Sequence, residues 1–449
     1  MHYLNSTMGR CKLAILCTLT LVSYSSFAQL NSPLSRYGLG DIVPNQNIIS
    51  RALGGTAIGY SDRQSINLTN PAALSNLLYT TFDFGAEVNA QTLKSNNAAD
   101  KYTSRNLNIS YLQFGFPLYS GKLKKRDAVN NLSWAGSFGL KPVTRINYKI
   151  NDTRILPNVD SLFNTFEGSG GVSQATLSTA VRIKDFSIGA TSGYSFGNKD
   201  FSTEVGFRSD TLPYYRSTTE NQSNFGGVFL DLGVQYEIKI DSVKRLNIGA
   251  FSNLKQNLNG SRTLLARTID QDVNGNTVSI DTISFNKAVS GRVVLPATYG
   301  VGFTFRDSAV LIGADYTMYN YDDFRYFGSK DVGVQNGWAA SVGFQYSPSV
   351  FARRSKNYFN FVDYRLGARY GKNYVNLGDS KEFGISVGAG LPLTGSLYQI
   401  NNREYVTLNT SVEYNTRGSK NAGSIRENTF KISFGVSMSS LWFRKYKYQ

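Results

Sequence analysis

The residues best suited to do chemistry in this chain are few and lie together at its start. His2 is the only histidine, and Cys11 and Cys17 are the only cysteines. All three fall in residues 1–28, which read as a secretory signal peptide. Arg10 and Lys12 form the basic start, Leu13 to Val22 the apolar core, and Ser26-Phe27-Ala28 the small-x-small cleavage site. About ten apolar residues cannot cross a hydrocarbon layer of roughly 30 Å. The expected mature chain therefore has neither thiol nor imidazole. That excludes disulfides, Cys/His zinc sites and Ser-His-Asp or Cys-His nucleophiles. No metal site, cofactor or enzymatic activity is expected.

The chemistry left to the mature chain is that of charge. Asp83, Glu87, Asp231, Asp315, Asp363, Arg365, Arg369, Glu413 and Lys431 share one feature: each sits in the polar phase of a segment that alternates apolar and polar residues. Charges of both signs on one face either pair with each other and with whatever fills the interior, or guide a substrate. The net charge of +16 suits lipid phosphates, acidic ligands or an acidic partner. Nucleic acid is a poor fit, because the basic residues are scattered. The largest cluster, Lys122 to Arg126, reads as a solvated turn.

The elements that position these charges are strands. Phe430, Ile432, Phe434, Val436 and Met438 share one face, and Lys431, Ser433, Gly435, Ser437 and Ser439 the other. Val228 to Tyr236 and Trp338 to Tyr346 repeat the pattern, and a period of two residues means strands. About fourteen such segments follow residue 80. Connections after odd-numbered segments are long (about 142–172, 198–224 and 257–297), whereas several after even ones are short (184–185, 241–244, 306–308). Unequal turns at the two ends are the signature of a bacterial transmembrane β-barrel. Within 257–297, Asn274-Gly275 separates two strand-like runs and predicts a standing hairpin. A soluble β-sandwich or propeller would alternate too. It would not explain the closing strand, which runs from Phe430 into Leu441-Trp442-Phe443 and a basic tail. No stretch is long and apolar enough for a membrane helix. The fold expected is all-β: an antiparallel transmembrane β-barrel of about 14 strands over residues 80–449.

Residues 29–79 stand outside the strand pattern. They hold Ser32-Pro33-Leu34-Ser35-Arg36-Tyr37-Gly38, then Gly54-Gly55, then Asn70-Pro71-Ala72-Ala73-Leu74 just before the first strand. This order resembles the FadL-type outer-membrane transport family, which includes the PorV-like proteins. Leu295-Pro296, Asp315-Tyr316 and the closing Trp442-Phe443 are similar as well. The resemblance implies a 14-stranded barrel in the cell outer membrane with an N-terminal luminal hatch, here residues 29–79. Gly54 and Gly55 permit close backbone approach or positive φ, and Asn70 and Pro71 suit a turn leading to Ala72. Each of these residues also fits simple packing of the plug.

By the same resemblance, the expected function is uptake of hydrophobic, fatty-acid-like compounds across the outer membrane. The alternative is a non-channel partner subunit of an outer-membrane secretion or assembly machinery, as in PorV-like relatives. The opening Ser-Pro-Leu-Ser-Arg-Tyr-Gly departs from the usual start of the fatty-acid transporters and keeps that alternative open. Expected partners are outer-membrane lipid and either a hydrophobic small molecule or a protein complex. A lateral exit needs a local break in strand pairing. Gly136, Gly139 and Pro142 in the third strand are the candidates, since proline removes a ladder donor and glycine weakens a strand. Pro142 as a plain strand end is the other reading.

Overall fold

A computed structural model describes residues 32–95, 101–120, 132–156, 160–208, 214–271, 274, 276–350, 357–376, 381–394, 404–418 and 425–441. The signal segment, the Lys122–Arg126 cluster, Gly275, Trp442-Phe443 and the basic tail lie outside these residues. The strands are β1 (Asp41–Ile42), β2 (Thr80–Ser95), β3 (Lys101–Ser120), β4 (Leu132–Leu156), β5 (Asp160–Ile183) and β6 (Phe186–Arg208). Next come β7 (Arg216–Lys239), β8 (Arg245–Asn253), β9 (Gln256–Gln271), β10 (Thr277–Leu295), β11 (Thr298–Asp307) and β12 (Val310–Tyr319). Then follow β13 (Arg325–Tyr326), β14 (Ser329–Lys330), β15 (Gly337–Tyr346), β16 (Asp363–Lys372), β17 (Lys381–Pro392), β18 (Tyr405–Gly418) and β19 (Ile425–Ser440).

Fourteen of these close a ring of antiparallel neighbours. Strands β2 to β8 pair in sequence, β8 pairs β11, β12 pairs β15, and β15 to β19 again pair in sequence. The seam is β19 on β2, continuous from Ile425↔Ser95 to Ser440↔Thr80. Alternation decides which way each residue points. Val228, Leu177, Phe434 and Val342 are exposed on the outer face, while Ser411, Ser433, Glu87 and Asp83 are buried within. A bulge in β3 resets that alternation. Gly85 pairs with Tyr111 but Ala86 with Ile109, so Ser110 is skipped and Tyr111 turns inward.

The wall is uneven. Strands β4 to β7 run 25, 24, 23 and 24 residues, whereas β11, β12, β15 and β16 run 10 each. The stretches 142–172 and 198–224 were expected as connections and are mostly strand. Above an apolar layer neither face must be apolar, so the ladder continues while the alternation that advertises it fades. The hairpin expected in 257–297 is present as β9 and β10, paired from Thr277↔Gln271 to Leu295↔Gln256. It continues β8 and β11 past breaks at Leu254-Lys255 and Pro296-Ala297, and β9 flanks the upper half of β7.

Candidate functional site

The N-terminal segment contacts the inner face of the ring on every side. Its first part adds to the free edge of β4: Asp41 pairs Arg145, Ile42 pairs Thr144, and Ser32 N–H donates to Asn147 O at 2.9 Å. A single-turn helix, Ile48–Ala52, is capped by Asn47, whose side chain accepts from Ser50 N–H at 2.9 Å. It ends at Gly54, with φ +70, and Gly55, with φ +103. A Cβ on Gly54 would lie 2.5 Å from Ala368 N and 2.9 Å from Val342 O, so only glycine fits against β15 and β16. Across the lumen, Asn70 caps a 3-10 turn, Pro71–Asn76, by accepting from Ala72 N–H. The Asn70 amide also donates to Ile58 O at 2.9 Å and Val234 O at 3.1 Å.

Buried carboxylates hold the same segment. Asp315 Oδ2 accepts from Ala57 N–H at 2.6 Å and Ile58 N–H at 2.8 Å. Asp83 accepts from the hydroxyls of Tyr111 and Ser437, both at 3.2 Å, and the Tyr111 hydroxyl in turn accepts from Ile48 N–H. Glu87 is the densest junction. It pairs with Arg51 of the short helix and with Arg145 of β4, accepts from the Ser110 hydroxyl, and lies 3.9 Å from Lys431. Burial works against the charge on Arg51, and Glu87, Glu413 and Tyr111 together more than offset it, so its pKa stands above its ordinary value. Higher in the lumen, Arg417 joins Asp41 at 2.7 Å and Glu427 at 2.9 Å, and Arg369 joins Glu382 at 3.0 Å.

Between segment and wall lies a cavity of about 320 Å³. Its lining carries charge at Arg51, Glu87, Arg145, Arg369, Glu413 and Lys431. It also includes apolar and aromatic side chains at Ile42, Val43, Phe251, Leu295, Tyr319 and Tyr321. Beside it the wall is discontinuous. The β3–β4 ladder ends at Leu112↔Leu140. Yet β3 stays paired to β2 up to Lys101, and β4 to β5 up to Leu156. Above that point the two strands share no ladder, and the register of β4 shifts between Pro142 and Thr144.

Apart from the N-terminal glycines and Asn70-Pro71-Ala72 described above, the residues singled out in the sequence fall into three groups. Asp83, Glu87 and Asp315 hold the N-terminal segment. Asp363, Arg365, Arg369, Glu413 and Asp231 face inward elsewhere, Arg365 bridging Asp363, Gln345 and Asn409. Of the third-strand candidates, Gly139 occupies the last rungs of the β3–β4 ladder, where a Cβ would lie 2.2 Å from Leu112 O. Pro142 lines the cavity at the register shift. Gly136 faces outward under Phe116. Sequence reasoning passed over Arg51, Asp41, Arg145, Arg417 and Glu427. Residues 143–150 alternate apolar and polar side chains past Pro142, and that pattern is the sequence signal for Arg145.

The geometry has counterparts among known proteins. A Pseudomonas aeruginosa FadL homologue matches at a TM-score of 0.56 with 12% identity, covering 90% of this chain and 100% of that one. The Pseudomonas putida toluene transporter TodX matches at 0.54 with 15% identity, covering 89% and 99%. The barrel is thus FadL-like in fold. Comparison with curated protein sequences gives no match. A family model described as BamG matches residues 10–449.

Proposed function

This chain belongs to the BamG family, and from that premise we propose that it is an outer-membrane barrel for uptake of a hydrophobic compound, plugged by residues 29–79. One observation carries the reading: the β3–β4 ladder stops beside the cavity, at the strand where a lateral exit was expected. A compound arriving from the tall end meets apolar cavity side chains at Val43, Phe251 and Leu295 and charged ones for any polar head. Leaving between β3 and β4 breaks no bond between those two strands, which is the condition for a passage through the wall into lipid, and needs only the N-terminal segment to release the edge of β4. The toluene transporter of the same fold supports the reading.

In this scheme Gly54, Gly55, Asn70, Pro71 and Ala72 seat the plug, and Gly139 and Pro142 shape the exit. Valine at Gly139 would strike Leu112 O and part the strands rather than seal them. The test is therefore a bridge across the break. Cysteines at Thr103 and Lys149, in a mature chain without native thiols, are joined by a bifunctional maleimide. Uptake of a hydrophobic tracer is expected to stop in the bridged protein. Uptake at the unbridged rate would refute the exit.

A second reading, a partner subunit of an outer-membrane secretion or assembly machinery, draws on a different feature. β10 is exposed from Thr277 to Ser290, including Ile283 at 63% and Phe285 at 56%. Among the described residues its one other strand partner is β13, at Val293 and Val294, so its outer edge has no strand partner from Thr277 to Ser290. An open edge with apolar side chains invites another chain. Removing residues 262–289 should dissociate a stoichiometric partner and spare uptake; unchanged co-purification of that partner refutes this reading.

A further inference from the structure

The two rims of the wall break are joined through one side chain. Arg145 stands on β4 above the last β3–β4 rung, within the stretch that pairs with Asp41 and Ile42. Its Nη2 donates to Ile109 O of β3 at 2.8 Å, and its Nη1 meets Glu87 of β2. Ile109 borders the skipped Ser110 and lies above the last β3–β4 rung at Leu112, and its carbonyl, which Arg145 reaches from β4, sits where β3 has no strand partner on that side. A carbonyl left unpaired at the level of lipid is costly, and a guanidinium is one of the few groups that can reach it from the far rim. Glu87 orients that guanidinium while also holding Arg51 of the N-terminal segment.

We infer that Arg145 is the latch of the β3–β4 break, and that Glu87 couples the latch to the seating of the N-terminal segment through Arg51. With Glu87 engaged by both arginines, the rims are held together and the segment is down. Displacing Arg51 removes one of the two arginines that fix the Glu87 carboxylate, so Glu87 orients Arg145 less firmly against the Ile109 carbonyl and the rims part. A planar, bidentate donor is needed to span two acceptors, and lysine does this less well. The inference extends the uptake reading, but its test does not depend on transport.

The experiment places spin labels at Thr103 on β3 and Lys149 on β4, both exposed and at similar height above the last rung, in the refolded barrel of the mature chain from Gln29 on. A control pair, Val301 on β11 and Val342 on β15, spans an intact part of the wall. Wild type is expected to give a narrow distance distribution at the break. Arg145→Gln should broaden it and shift it outward, Glu87→Gln should do the same, and Arg145→Lys should fall between, all with the control pair unmoved. An Arg145→Gln distribution that superimposes on wild type overturns the latch. So does broadening of both pairs alike, which would make Arg145 a general support of the barrel. Should Arg145→Gln fail to refold, Arg145→Lys and Glu87→Gln decide by the same criteria.

Discussion

Gly54→Ala tests most directly how the N-terminal segment is seated. The glycine meets two separate demands. Its φ of +70 disfavours any residue with a Cβ, at about 1–2 kcal/mol. Its missing Cβ leaves room for the backbone of Ala368, 2.5 Å from where that carbon would stand, and overpacking against a fixed neighbour costs about 1–3 kcal/mol. Together these give about 3 kcal/mol, which raises the unseated fraction about 100-fold. The clash falls on one rung of the ring, Val342↔Ala368, and leaves the other ladders paired, so the loss should appear as leak rather than collapse. Liposome swelling with a small sugar reads the leak, and heat-dependent gel mobility reads the barrel. Gly367→Ala approaches the same contact from the wall, its added carbon lying 2.0 Å from Gly54 N. The two single variants should leak alike, and the double variant should leak less than their product predicts, because both remove one contact. Swelling rates equal to wild type in both single variants would refute the seating argument.

Other expectations follow from the same contacts. Asp315→Ala strands the amides of Ala57 and Ile58 and should lower the stability of the seated segment by about 2–4 kcal/mol, read by protease nicking within residues 45–70, with Asp315→Asn closer to wild type. Asn70→Ala removes a cap and the bonds to Ile58 and Val234, for a loss of about 2–3 kcal/mol by the same assay. Deleting Arg36 to Thr69 should raise passage of small hydrophilic solutes through a correctly inserted barrel. Unchanged permeability would mean that the segment does not block the lumen.

The lipid-facing wall was readable because lipid imposes a pattern. Phe430 to Met438 must show alternate apolar side chains to the membrane, and the sequence records that requirement one residue at a time. Where the requirement lapses, so does the record. Glu220, Asn221 and Gln222 of β7 and Gly168 to Gly171 of β5 sit in long ladders yet look like loop. The bulge at Ser110 was hidden for another reason: a skipped residue between Ile109 and Tyr111 changes which phase is inward without changing composition. Most inward charges on predicted strands are legible, but Arg182 on β5 is not among them, and neither are Arg145 and Glu427. Arg145 lay in a stretch taken for a connection, and the tie of Glu427 to Ser32 spans 395 positions of chain that no local pattern reports.

The last strand also bears on how the chain reaches this state. β19 forms the seam with β2, and its inward side chains meet the beginning of the protein as well. Glu427 reaches Ser32, Gly435 abuts Ile48, and Ser439 donates to Gln64 O. Ring closure and segment seating therefore draw on the same sixteen residues, the final ones in the ladder. Contacts of such sequence separation form late, because the loop they close must first be ordered. A chain halted before β19 inserts has no seam and an incompletely held plug. Completion of the barrel and obstruction of its lumen thus become a single cooperative event, and a half-made barrel is a leak.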